Sequence, residues 1–350
     1  MQVKAVLLAG GLGTRLHPLT EHLPKPMVPV LGRPWLERLL EDLAKQRVTE
    51  AVCALRHEPE AIMDRIGDGE SLGLPVRYRI EPAPLGTGGA IRYAAQGIGE
   101  TFLVFNADVA HQFDLKKLVD FHRERRALVT IGLVALEDVS GYGVVERDDA
   151  GRVLRFVEKP EPGEVRSPFV NAGVYVFEPA ALEYIPEGRE VSVERETFPA
   201  LLAAGEPVYA TVLDGYWSDL GTRERYLRVH RDILAGRWPL PEVGLQPARD
   251  RVWQDPSARV HPEAELVPPV WLGPRSVVES GAVVGPWVVL GPGSRIGAGA
   301  RVQDAVLWEG ARVGPGAQLE SSVLGRGASV PGGVRCWECL VAPSPATAGR

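Results

Sequence analysis

Lysine is scarce in this 350-residue chain: Lys4, Lys25, Lys45, Lys116, Lys117 and Lys159 are the full set, and nearly every other basic position is arginine. The net charge of −6 excludes the basic stripe that a nucleic-acid-binding surface needs, while leaving room for a local positive pocket for phosphate. Cysteine is scarcer still. Cys53, Cys336 and Cys339 are too few for a disulfide framework, and the expected location is the cytoplasm. Cys336-Trp337-Glu338-Cys339 has C-x-x-C spacing, but no second pair exists to complete a zinc site. A structural or incidental role is expected of it rather than metal or redox work. Long apolar runs are absent: nothing approaches the roughly 18 residues of a membrane span, and Met1–Gly10 is too short and wrongly flanked for a signal peptide. The arginine bias, with many prolines, suits a GC-rich genome or a thermophile, which composition does not separate.

What is present is an ordinary soluble composition, 45% apolar and 24% charged, in a chain long enough for two cores. The first part alternates strand-like and helix-like segments. Val3–Ala9 is a short apolar run ending in glycines. Trp35, Leu36, Leu39, Leu40 and Leu43 have helical spacing, and Phe102–Phe105 is a strand ending at Asn106-Ala107-Asp108. Such repetition predicts an α/β domain over 1–236 with a doubly wound, Rossmann-like mixed sheet, mostly parallel, and ligands at the carboxyl ends of its strands. The proline-rich stretch 237–256 reads as a linker. From there to about residue 340 the period becomes six. Val260, Leu266, Leu272, Val278, Val284, Leu290, Ile296 and Val302 keep one register, which then slips and resumes at Val313 and Leu319. This is the hexapeptide pattern of a left-handed parallel β-helix.

The chemistry concentrates in Leu8-Ala9-Gly10-Gly11-Leu12-Gly13-Thr14-Arg15-Leu16, followed by Pro24-Lys25-Pro26. A strand runs into a glycine-rich loop, where backbone N–H groups can approach phosphate oxygens. Arg15 offers a bidentate phosphate contact, and Lys25 is a compact charge on a backbone stiffened by proline. The spacing is neither that of a Walker A loop nor that of a dinucleotide fingerprint. Asp108 stands just beyond a strand and Asp219 before a helix. Two aspartates from distant segments suffice for Mg²⁺, which takes one or two carboxylates plus phosphate oxygens and water. The competing readings are a turn residue for Asp108 and a helix N-cap for Asp219. His111 reads as a solvent-exposed loop histidine, and His17 as a bystander near the nucleotide.

The run LAGGLGTRLHPLTEHLPKPMVPV, Leu8–Val30, resembles the signature of the sugar-1-phosphate nucleotidyltransferases. The KPMVPV form, the PLGTGGA segment and the β-helix are most similar to the mannose-1-phosphate guanylyltransferases of that family. The resemblance implies nucleotide contacts from Leu8, Gly10, Gly11, Gly13, Thr14, Gly86 and Thr87, with Arg15 on the departing pyrophosphate and Lys25 near the α-phosphate. It implies Mg²⁺ on Asp108 and Asp219. It also implies a sugar-phosphate site at Gly143, Glu158, Lys159 and Asn171, where a surface ion pair is the bland reading of Glu158 and Lys159. Glu81 occupies the place where many thymidylyl- and uridylyltransferases have Gln. An ionised carboxylate is acceptor-only and matches the N1–H and N2–H₂ donors of guanine, which favours GTP.

The expected reaction is attack by a phosphate oxygen of mannose 1-phosphate on the α-phosphorus of GTP, giving GDP-mannose and pyrophosphate. No strong general base is needed, because the acceptor is already an anion. The rivals are a glucose-1-phosphate thymidylyl- or uridylyltransferase, a bifunctional enzyme with an acyltransferase β-helix (only His261 offers itself as a base), and a non-catalytic regulatory subunit. No nucleic acid or membrane partner is expected. A homo-oligomer is, through the flat faces of the β-helix. Trp271, Trp287 and Trp308 serve either such contacts or packing within the chain.

Overall fold

The computed structural model describes residues 2–161, 163–238, 240 and 251–343. Of the linker expected at 237–256, residues 239 and 241–250 lie outside the described residues. The elements run β1 (Val3–Leu8), β2 (Pro29–Val30), β3 (Arg33–Pro34), α1 (Trp35–Lys45), β4 (Val48–Leu55), α2 (Pro59–Ile66), β5 (Val76–Ile80), α3 (Gly86–Ala94), β6 (Phe102–Asn106) and β7 (Val109–Phe113). They continue with α4 (Leu115–Arg125), β8 (Val129–Ala135), β9 (Gly143–Arg147), β10 (Val153–Glu158), β11 (Phe169–Phe177), α5 (Phe198–Ala203), β12 (Val208–Val212), β13 (Gly215–Asp219) and α6 (Arg223–Leu234), before the β-helix strands. Two compact units result: Met1–Gly11 with Leu36–Trp217, and Leu12–Trp35 with Ser218–Arg350.

The first unit is built on one sheet in the order β10-β9-β11-β6-β1-β4-β5, with β8 joining β11 to β12. β6, β1, β4 and β5 are parallel to one another, whereas β11 runs antiparallel to both β6 and β8, so the sheet is mixed. The central strands are continuous apolar runs because helices cover both faces. Val6, Val52, Phe102, Val104, Ile131, Tyr175 and Phe198 fill one core. The helices carry legible boundaries: Asp114 caps α4 by accepting from the Lys117 N–H, and Pro59 opens α2.

The expected exposed loop around His111 is absent from the fold. Val109–Phe113 is a strand, and its alternation turns Val109, His111 and Phe113 inward. His111 is therefore buried rather than solvent-exposed, its ring stacked 5.6 Å from that of Phe105 and 5.0 Å from that of Phe113. Burial pushes its pKa down to about 3.

In the second unit the β-helix is a three-sided ladder of parallel strands, as in Val260–Val278–Ile296–Val313–Val330 on one face. Leu272, Val278, Val284, Leu290, Ile296, Val302, Val313 and Leu319 are all buried in its interior; Val260 and Leu266, in the first turns, are partly covered. The slip in register has a definite place. Gly285, Pro286 and Trp287 separate Val284 from Val288, whereas only Gln303 and Asp304 separate the equivalent Val302 from Ala305. The corner has lost one residue, and the shortened form repeats at Glu320-Ser321 and Trp337-Glu338. Asp304, in the first short corner, receives the Arg231 guanidinium of α6 on both carboxylate oxygens.

Trp271, Trp287 and Trp308 make contacts within the chain. Trp308 is buried and donates its Nε1–H to the Tyr226 hydroxyl at 2.9 Å, Trp271 is buried, and the Arg251 guanidinium lies 5.5 Å over the Trp287 ring. Cys336 and Cys339 are paired as a disulfide, so the sulfurs do bond despite the scarcity of cysteine. Cys53 is free and buried. Among the described residues no helix is long and apolar enough to cross a membrane.

Candidate active site

The carboxyl ends of β1, β4 and β6 are level, since Leu8 pairs with Ala54 on one side and Asn106 on the other. The chain leaves them together: the Ala9 N–H donates to Ala54 O, and the Ala107 N–H to Leu8 O. Gly10, Gly11, Arg56 and Asp108 follow directly, in the position where a parallel sheet presents its ligand-binding residues. A Cβ on Gly10 would stand 3.0 Å from Glu81 Oε1 and 3.3 Å from Arg56 Cβ, so the loop and Glu81 adjoin. Nothing lies within 4 Å of the equivalent point on Gly11. Burial pushes the Glu81 carboxyl above the usual range, opposed by the Leu85 N–H that it accepts and by the Arg56 charge.

Gly86 and Thr87 have structural work. Gly86 has a φ of 67°, and a Cβ there would meet Val191 O at 2.5 Å. The Thr87 hydroxyl donates to Glu194 Oε2 at 2.6 Å and accepts the Val193 N–H at 2.9 Å. Both positions thus dock α3 on the segment 191–194.

The second unit holds the charged part of the loop. Gly13 has a φ of 62°, and a Cβ on it would stand 3.1 Å from Lys25 Cβ, so the loop and the Pro-Lys-Pro element touch. Thr20 locks the loop by donating to Gly13 O at 2.8 Å. Lys25 opens a short 3₁₀ turn after Pro24 and is buried, whereas Thr14 and Arg15 are exposed. A Cβ on Gly221 would meet Asp219 Oδ1 at 2.6 Å and Arg15 Nη2 at 2.8 Å, which puts the two side chains on one glycine. Asp219 is not the cap of α6. Thr222 is, accepting from the Arg225 N–H, while Asp219 closes β13. Its Oδ1 accepts the Gly221 N–H and its Oδ2 pairs with Arg225 Nη1 at 2.7 Å. Among the described residues no group of three or more His, Cys, Asp or Glu is disposed to hold a metal.

The expected acceptor residues lie together in the first unit. Gly143 pairs with Glu158 across β9 and β10, and a Cβ on Gly143 would stand 2.8 Å from Glu158 Oε2. Burial first, and then the Glu194 charge, push the Glu158 pKa up against Lys159 and Arg195. Lys159 is exposed, its Nζ 3.9 Å from Glu158 Oε1, with its backbone turned left-handed at a φ of 52°. β11 is irregular between Asn171 and Tyr175; Asn171 donates to the Tyr175 hydroxyl at 2.7 Å and accepts the Gly173 N–H. Trp217 donates to Ala172 O at 3.0 Å and meets Tyr142 edge-on.

Arg56, Asn106, Tyr175, Glu194 and Trp217 were not singled out from sequence. Arg56 and Asn106 had a usable signal, since each lies at or just past the carboxyl end of a parallel strand. Tyr175 and Glu194 had none, because only the irregularity in β11 and the π turn at Val193–Thr197 bring them here.

A mixed sheet whose first parallel strand runs into a glycine-rich loop at the carboxyl edge, beside Arg56, Glu81 and Asp108, is an α/β arrangement of the kind that presents ligand-binding residues there. The profile of the nucleotidyl transferase family matches residues 4–236, and that of the GMPPB C-terminal domain matches residues 266–345. The chain belongs to the nucleotidyl transferase family. It is 43% identical over 268 residues to the mannose-1-phosphate guanylyltransferase of Mycobacterium tuberculosis, covering 76% of this chain and 74% of that one. It is 36% identical over 247 residues to the UTP–glucose-1-phosphate uridylyltransferase of Synechocystis, spanning 67% of its own length and 64% of the relative's. Among solved structures it is similar to HddC from Yersinia pseudotuberculosis complexed with GMP-PN, with a TM-score of 0.56, 31% identity, and coverage of 65% of this chain and 97% of that one.

Proposed function

We propose that this protein transfers GMP from GTP to mannose 1-phosphate, giving GDP-mannose and pyrophosphate. The observation that carries the base choice is the half-buried Glu81 carboxylate against Gly10 at the carboxyl end of β1. As an acceptor-only group it suits the two donors on the guanine edge. The Mycobacterium tuberculosis relative supports the same substrate pair.

In this reading Leu8, Gly10, Gly11, Gly13 and Thr14 line the nucleotide, with Gly86 and Thr87 shaping the wall beside Glu81. Arg15 grips the leaving pyrophosphate and Lys25 balances charge at the α-phosphate. Glu158 accepts from sugar hydroxyls, Lys159 takes the acceptor phosphate, and Gly143 and Asn171 form the floor. Asp108 and Asp219 are assigned as the carboxylates that would hold Mg²⁺, which would supply charge neutralisation for the phosphates. Holding the acceptor oxygen in line with the α-phosphorus is the protein's main contribution, since no proton must be removed. The division into a catalytic domain at 1–236, a linker at 237–256 and a β-helix at 257–340 belongs to the same proposal, as do cytoplasmic location and self-association through a β-helix face.

The test is pyrophosphate release with Mg²⁺ across a grid of nucleoside triphosphates and sugar 1-phosphates. A maximum at GTP with mannose 1-phosphate is expected. The Synechocystis relative motivates the second reading, for which the maximum falls at UTP with glucose 1-phosphate.

A further inference from the structure

Three short corners of the β-helix stack on one another, with Asp304, Ser321 and Glu338 each turned left-handed at φ of 46°, 45° and 54°. Such a backbone is unfavourable for a non-glycine residue and needs support from outside. Asp304 has it twice over, from the Arg231 guanidinium and from the Ser321 hydroxyl at 2.8 Å. Glu338 hangs from the corner before it through its N–H on Glu320 O, and no further turn follows among the described residues. Two things hold it instead. Cys336 and Cys339, 6.0 Å apart at Cα, close the corner covalently. Arg223 then donates to Glu338 O and pairs with Glu338 Oε2 at 3.3 Å. Arg223 is the first residue of α6, and two residues on, Arg225 pairs with Asp219.

We propose that Cys336–Cys339 is a reversible thiol–disulfide site that sets how firmly the first turn of α6, and with it Asp219, is held. The co-reactant is a dithiol. One of its thiolates bonds to the Cys339 sulfur as the S–S bond breaks and Cys336 leaves as a thiolate, which takes a proton. The reductant's second thiolate then displaces Cys339, so two electrons pass to the protein and the reductant leaves as a disulfide. Both cysteines are partly buried, and the packing of Cys336 against the β-helix core favours attack at Cys339. Cys53 takes no part: burial pushes its thiol up to about 12.

The test counts thiols in denaturant and follows amide exchange in α6 on the full chain, isolated without reductant and again after dithiothreitol. The expected counts are one thiol, then three, with faster exchange at residues 223–227 only after reduction. The link to Asp219 rests on the nucleotidyl-transfer reading and is measured as the KM for Mg-GTP, which is expected to rise about three- to tenfold on reduction. Cys339→Ser is expected to show that KM whatever the reductant. Glu338→Gln is expected to show it with the disulfide intact, which separates the clamp from general loosening of the end turn. Three thiols in the untreated chain, or exchange indifferent to reduction, overturns the site. Changed exchange beside an unchanged KM overturns its link to Asp219. If the oxidised protein transfers no nucleotide, the functional reading fails and exchange alone decides this one.

Discussion

Glycine does opposite work in the two halves of the molecule. In the β-helix a glycine stands where the next turn's backbone passes: a Cβ on Gly291 would lie 2.6 Å from Leu307 O, and one on Gly273 2.7 Å from Leu290 O. In the glycine-rich loop, a Cβ on Gly11 would meet nothing within 4 Å. The first kind is demanded by the fold, which repeats, so the residue repeats with it. The second kind answers to no neighbour in the chain, and the proposed nucleotide contact supplies a reason for it. The same contrast separates carboxylates: Asp304 answers to Arg231, whereas Glu81 faces the loop.

The largest effect expected from this division is catalytic. Asp219→Asn keeps the hydrogen bond from Gly221 but removes the charge, and about a 10²- to 10³-fold loss in kcat is expected for a lost electrostatic contact at the reacting phosphates. Asp108→Asn is expected to behave alike, with the melting temperature of each variant recorded beside its rate. A loss below tenfold in both breaks the assignment of these aspartates to the metal.

The glycine pair is the next test. Gly291→Ala is expected to cost roughly 1–3 kcal/mol of stability by overpacking, read from denaturant midpoints, with the rate per folded molecule unchanged. Gly11→Ala should leave the midpoint within about 0.5 kcal/mol, because its Cβ meets open space, while lowering kcat/KM for GTP. If Gly11→Ala destabilises and Gly291→Ala does not, the comparison is inverted.

How much of this was legible follows from the same physics. One aliphatic series of the β-helix interior, Leu272 to Val302 with Val313 and Leu319, could be named from sequence, because one packing rule applies at each turn. Only the place of the lost residue, at Asp304, needed the structure, since α6 and not the repeat explains it. In the α/β unit the alternation of strands and helices and the loop were readable, but the packing role of Gly86 and Thr87 was not. Their partners at residues 191–194 lie a hundred positions away and carry no pattern. His111 was missed because Val109-Ala110-His111-Gln112-Phe113 reads as a loop unless one knows that Phe105 and Phe113 sandwich its ring.

A smaller effect discriminates bases. Glu81→Gln exchanges an acceptor-only group for one that can also donate, and the preference for GTP over UTP is expected to fall about tenfold, the worth of one good polar contact. Unchanged preference removes Glu81 from the base site and leaves the fold-level reading intact.

The pH dependence of that variant is the finest discriminator. Burial raises the pKa of both Glu81 and Glu158, so each loses its charge at a higher pH than an exposed glutamate does. If both bind as carboxylates, the KM for GTP and the KM for mannose 1-phosphate each rise as pH falls toward those values. Titration of the substrate phosphates, near pH 6, adds to both curves equally in wild type and variant. Comparing the two therefore cancels it. In Glu81→Gln the acid rise in the GTP curve is expected to shrink while that in the mannose 1-phosphate curve persists, because the substituted amide has no proton to gain and Glu158 is untouched. Loss of both rises together means that the two carboxylates act on one substrate, and the separation of a base pocket from a sugar pocket fails.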